Sequence, residues 1–200
     1  MIKRFLLVGA LLFAFGFLYS AVASTNEITQ KFVRFHIIAN SNSEEDQKIK
    51  MEIRNKIFEK FDFSNISSKA DSLVYFKEHR QEIENLANKV LIENNFNYPA
   101  RVSITKKYFP IREYSDFTLP SGVYDAVSIE LGEASGKNFF CVMYPSLCLI
   151  EGISEKTHGN IEALNNILSE NEVETITGNK NNIIVKFKIA EIINNFVSGK

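Results

Sequence analysis

Tryptophan is absent from this chain, cysteine occurs twice, histidine three times and proline four times in 200 residues. Each shortage excludes something. Two cysteines are too few for a structural zinc site without help from histidine, and no C-x-x-C spacing is present. No G-x-S-x-G, H-E-x-x-H, Walker loop or dinucleotide fingerprint occurs, so the usual signatures of catalysis are missing. There is also no excess of positive charge. The formal net charge is −1, and without Lys3 and Arg4 the 23 basic residues fall to 21 against 24 acidic ones. That balance gives no electrostatic footprint for nucleic acid. There is no internal repeat and no low-complexity tract.

What is present starts with an export pattern. Lys3-Arg4 makes a positive n-region, Phe5 to Tyr19 is apolar except for glycine, and Ala21-Val22-Ala23 is a small-x-small site before Ser24-Thr25-Asn26. Residues 1–23 read as a cleaved signal peptide, with an uncleaved membrane anchor as the alternative. In an exported chain Cys141 and Cys148 read either as a disulfide, helped by Pro145 between them, or as two buried thiols.

The stretch from Val33 to Ile57 organises the remainder. Val33, Phe35 and Ile37 alternate with Arg34, His36 and Ile38, the pattern of a strand with one buried face. Asn40-Ser41-Asn42-Ser43 breaks it with small polar side chains that bond nearby backbone. Ser43 is an N-cap signal, with Glu44, Glu45 and Asp46 in the first helical turn. Ile49, Ile53, Ile57 and Phe61 then recur every four residues. Within it His36, Asn40, Ser41 and Asp46 form a candidate constellation, read either as a network satisfying the turn or as a surface shown to a partner.

Further on, the apolar spacing from Lys69 to about Asn95 predicts one long helix, or two with a break near 77–82. Val102 to Tyr108 alternates as a strand, and 109–117 has no clean period and reads as a loop. Leu119 to Gly122 is a turn, Val123 to Leu131 a strand, and Phe139 to Tyr144 an apolar run expected of a central strand. Beyond Ile150 the chain is polar, with a short helix around Ile161 to Leu168. Ile183, Val185, Phe187 and Ile189 alternate as a last strand, and a helix is expected from Ala190 to Val197. The expected fold class is α+β: after the export signal, an N-terminal strand and two helices packed on a mostly antiparallel sheet. Three segments follow: 1–23, a domain over 24–150, and 151–200 with a terminal strand and helix packed on the same domain.

Three blocks carry a family resemblance. The first is Arg34 to Ser43 with Asp46-Gln47 and Arg54. The second is Tyr108, Pro110, Arg112-Glu113-Tyr114, Asp116-Phe117, Leu119 to Gly122 and Tyr124. The third is Gly132-Glu133, Gly136, Asn138 to Val142, Pro145 and Leu147-Cys148. In this order they resemble the stage II sporulation protein R family. Phe139-Phe140 stands where that family usually has tryptophan, and Ser146 where it often has proline.

The resemblance implies a non-enzymatic messenger without cofactor or metal. It would be exported from the forespore into the space between two membranes, there to activate a membrane-embedded aspartic protease of the mother cell that processes the sigma-E precursor. Partner contacts are then expected from the polar turn (His36, Asn40, Ser41, Asp46) and from the loop carrying Arg112, Tyr114 and Asp116. The alternative is a secreted hydrolase acting on cell-wall material. For it the chain offers Glu113 and Asp116 as loop carboxylates, or Cys148 with His36 or His158 as a dyad.

Overall fold

The computed structural model describes residues 25–63, 65–114, 116–147, 160–178 and 180–197. Residues 1–23, read above as an export signal, and Cys148 and His158 lie outside them. In chain order the elements are helix α1 (25–31), β1 (Val33–Ile38), α2 (Glu44–Lys60), α3 (Lys69–Glu78) and α4 (Arg80–Glu93). Then come β2 (Ala100–Phe109), β3 (Arg112–Glu113), β4 (Thr118–Leu119), β5 (Gly122–Leu131) and β6 (Asn138–Tyr144). Three helices close the series: α5 (Asn160–Asn165), α6 (Glu170–Thr177) and α7 (Lys180–Val197). This is an α+β fold whose main sheet is four-stranded and mostly antiparallel, in the order β2-β5-β1-β6. The strand–turn–helix reading of 33–60 holds: Ser43 Oγ accepts the Asp46 N–H as N-cap, and Phe61 closes the helix through Ile57.

Two compact units divide the chain. One comprises Lys31–Lys107 and Tyr124–Ile167. The other comprises the described residues up to Gln30, with Tyr108–Val123 and Leu168–Lys200.

In the first unit β1 is the pivot. It pairs in parallel with β5, setting His36 beside Ser128, and antiparallel with β6, setting Phe35 beside Cys141. Val33, Phe35 and Ile37, with Val127 and Ile129, form one apolar face. Ile49, Ile53 and Ile57 of α2, Phe76 of α3 and Ile83, Ala87 and Val90 of α4 close over that face. Burying a large aliphatic or aromatic side chain contributes about 1.5–3 kcal/mol, so this layer is the main source of stability. The helical stretch 69–95 is two helices, broken at His79. His79 accepts no side-chain capping role; its ring stacks on Tyr75 at 4.2 Å and its Nδ1 lies 2.9 Å from the Tyr75 carbonyl.

In the second unit β3 and β4 form a two-stranded ribbon, Arg112 opposite Leu119 and Glu113 opposite Thr118. α6 and α7 pack on each other and on β4. Ser169 and Glu172 make a capping box at the start of α6.

Four expectations are corrected. The terminal strand at Ile183–Ile189 is helix: Ile183, Phe187 and Ala190 are buried at helical spacing, while Val185 and Ile189 are exposed. Aliphatic residues are frequent enough here to fit both periods, and packing on α6 and β4 selects the helical one. Residues 109–117 are not loop throughout: Phe109 ends β2, and Arg112-Glu113 pair with Thr118-Leu119 just beyond the stretch to make the ribbon. The apolar run of β6 forms the edge of the sheet, and β1 and β5 its centre. β1 itself is buried on both faces, Arg34 at 0% and His36 at 5% exposure; on the second face the Tyr124 ring lies by the Arg34 guanidinium and the Phe140 ring against His36.

Candidate functional site

The turn after β1 is held by one carboxylate. Asp46, in the first turn of α2, accepts Asn40 Nδ2 at 2.9 Å and Ser41 Oγ at 2.6 Å on one oxygen. Its other oxygen accepts the Tyr98 hydroxyl at 2.5 Å. Burial pushes the Asp46 carboxyl up, but the bonds from Ser41, Tyr98 and Asn40 outweigh it and hold the group below the ordinary carboxylate value. Desolvation, with the neighbouring Asp46 charge, raises Tyr98 well above the usual phenol range, so it stays a donor.

The same turn grips the β5–β6 connection. Asn40 Oδ1 accepts the Glu133 N–H, the Asn40 carbonyl accepts Ser135 N–H and Oγ–H, and Asn42 Oδ1 accepts the Lys137 N–H. Lys50, 5% exposed, donates to Gln47 and to the Lys137 carbonyl, closing the interlock from the helix side. Both glycines of this connection are required. Gly132 has φ +55° and a Cβ there would lie 2.2 Å from Asn40 Oδ1, while one on Gly136 would lie 2.0 Å from the Ser41 carbonyl oxygen. Arg54 lies over the Phe139 ring, 5.1 Å from its centroid. The first and third sequence blocks are thus two halves of one clasp. Its outer rim, Asn42, Ser43, Glu44 and Glu45, is exposed.

His36 does not join this network. From the second residue row of β1 it meets the Ser128 hydroxyl of β5 through Nε2. Lys107 of β2 donates to Ser128 at 2.9 Å and to Glu130 at 2.5 Å. Burial, then the positive charge of Lys107, lowers the His36 pKa to about 4 despite an opposing pull from Glu130. The ring is therefore neutral at physiological pH. Ser128 is fully buried, so this Ser–His contact offers no nucleophile to a substrate. Arg34, two residues earlier, is also fully buried, its guanidinium 5.1 Å from the Tyr124 ring centroid. His36 further stacks near-parallel on Phe140.

The remaining candidates occupy the ribbon of the other unit. Arg112 is exposed, Asp116 half-buried and Tyr114 8% exposed, its ring stacked on Phe117 at 4.7 Å. The Tyr114 N–H bonds the Phe117 carbonyl and shapes the tip. Of the seven residues, then, Asn40, Ser41 and Asp46 act together, His36 serves a separate cluster, and Arg112, Tyr114 and Asp116 form a third place. Cys141 is disulfide-bonded. Among the described residues no three His, Cys, Asp or Glu side chains converge to hold a metal.

Sequence reasoning missed Tyr98, Lys107, Ser128 and Glu130. Tyr98 follows the last helical turn with no local pattern pointing at Asp46. Ser128 and Glu130 did carry a signal: they alternate in β5 as Arg34 and His36 alternate in β1, and parallel pairing brings the two polar rows together.

Against known proteins, the model of the family described as stage II sporulation protein R matches residues 29–154. A curated relative, the stage II sporulation protein R of Bacillus subtilis (strain 168), is 29% identical over 126 residues. The match covers 62% of this chain and 56% of that protein, so the chain spans little more than half the length of its relative. No solved structure matches.

Proposed function

Because the chain belongs to the stage II sporulation protein R family, we propose that it is an exported sporulation signal that acts by binding. It leaves the forespore, enters the space between the two membranes and activates a membrane-embedded aspartic protease of the mother cell, which then processes the sigma-E precursor. The observation that carries the reading is the family match over 29–154, which takes in the clasp, the buried His36 cluster and the Arg112–Phe117 tip. What supports a binding role is the state of the polar groups. Asn40, Ser41 and Asp46 are spent on holding the turn, while Glu44 and Glu45 at its rim, and Arg112 on the ribbon, stand exposed on rigid elements.

The second reading, a secreted hydrolase acting on cell-wall material, has the Ser128–His36 contact in its favour and the full burial of Ser128 against it. The experiment that separates the two is co-expression with the protease and the sigma-E precursor in a non-sporulating host. A messenger acts stoichiometrically, saturates with dose and survives Ser128→Ala. A hydrolase works at trace amounts and fails with that variant. Processing that proceeds equally without this protein removes the messenger reading.

A further inference from the structure

α7 carries two apolar stripes. Ile183, Phe187 and Ala190 are buried in its own unit. Val185, Ile189 and Ile192 repeat the same spacing and are 58%, 44% and 68% exposed. At about 100° per residue these three fall within roughly 60° of one another, a continuous strip along the helix. Lys188 borders the strip on one side and Lys186 on the other, both exposed. The helix has one carboxylate, Glu191, which lies off the strip and accepts the Tyr108 hydroxyl. On the Lys186 side, Glu174 of α6 shares the groove between the two helices. α7 itself thus presents an aliphatic strip with a lysine along each edge and no carboxylate of its own on that face; Lys186 also donates to Thr175 of α6 at 3.5 Å, beside Glu174.

We propose that this face of α7 lies on an anionic lipid bilayer surface, with the helix axis in the plane of the membrane. The aliphatic strip enters the boundary between headgroups and acyl chains, and the two lysines reach anionic headgroups on either side. A second copy of the chain fits worse, since strip against strip would set lysine edges facing one another. Spanning is not the mode: among the described residues no helix is long and apolar enough to cross a membrane. The proposal stands apart from the signalling reading, because it concerns adsorption to lipid with no protease present.

The absence of tryptophan supplies the probe. Ile192→Trp places one emitter on the proposed face in the full chain, and Val74→Trp, at an exposed position on α3, is the reference. Vesicles of phosphatidylcholine with phosphatidylglycerol should shift the Ile192→Trp emission to the blue, and brominated acyl chains should quench it, with neither effect in Val74→Trp. Adding Lys186→Ala and Lys188→Ala should weaken this response on the order of tenfold, and salt should weaken it further. Val185→Ser with Ile189→Ser should also reduce it, with circular dichroism confirming the retained helix. A blue shift that grows with protein concentration without lipid assigns the face to a second copy and overturns the proposal. So do equal responses at both reporters, an undiminished response on pure phosphatidylcholine, or none at all.

Discussion

The carbonyl oxygen of Ser41 occupies the space that a side chain on Gly136 would need, at 2.0 Å from an ideal Cβ. Two sequence blocks that lie far apart in the chain are in backbone contact here, and the Ala39 carbonyl accepts the Gly136 N–H at 2.9 Å. Gly136→Ala should therefore cost about 2–3 kcal/mol, the scale of overpacking against a backbone that cannot move aside. Thermal unfolding of the variant measures it, and an unchanged midpoint would disprove the close approach.

Removing charge from the clasp should be costly as well. Asp46→Asn gives up charge-assisted bonds from Asn40, Ser41 and Tyr98, and a loss of roughly 2–3 kcal/mol is expected. Tyr98→Phe removes one of them, at about 1–2 kcal/mol. Because both changes break the Tyr98–Asp46 bond, the double variant should cost less than the sum of the singles. Strict additivity in that cycle would contradict the bond.

Acid should weaken the fold in two stages. His36 has a folded pKa of about 4, below its ordinary 6.5, so the unfolded chain takes up the proton first. Its contribution is fully present above pH 6.5 and is lost as pH falls toward 4, by roughly 3 kcal/mol at most. Asp46, also depressed, contributes above the ordinary carboxylate value and loses that contribution as pH falls through its folded pKa. Denaturant unfolding across this range should show the first stage in the native chain and a flatter profile in His36→Gln.

Signalling should separate the turn's interior from its rim. Glu44→Gln or Glu45→Gln alone should leave the unfolding free energy within about 1 kcal/mol, the scale of an exposed helix-start charge, while reducing precursor processing in the co-expression assay. Asn40→Ala and Asp46→Ala should lower processing and stability together. Normal processing in both rim variants would place the contact surface elsewhere.

The processing site is checked by mass spectrometry of the exported protein, where Ser24 is the expected N-terminus. An intact Met1 start in membrane fractions would mean that the segment serves as an anchor.

Local chemistry alone decided a good part of this molecule. The strand at 33–38, the polar break, the Ser43 cap and the stripe Ile49, Ile53, Ile57 are neighbours in sequence, so periodicity and capping suffice to read them. The same holds for the strand at 122–131 and for the helical stretch whose break falls at His79. Pairing partners were another matter. Whether an apolar run such as 138–144 lies at a sheet's centre or edge depends on which strands flank it, and no residue within the run encodes that. The aliphatic pattern of 183–189 satisfies two periods, and only contact with α6 and β4 selects helix. Asp46 was visible as a helix-start carboxylate, but its partner Tyr98 arrives from 52 residues away. His36 was visible as polar in a strand, yet its neutrality is set by burial and then by Lys107, 71 residues further along the chain. Those facts are made by long-range packing, where distance in space is unrelated to distance along the chain, and so only the tertiary structure could decide them.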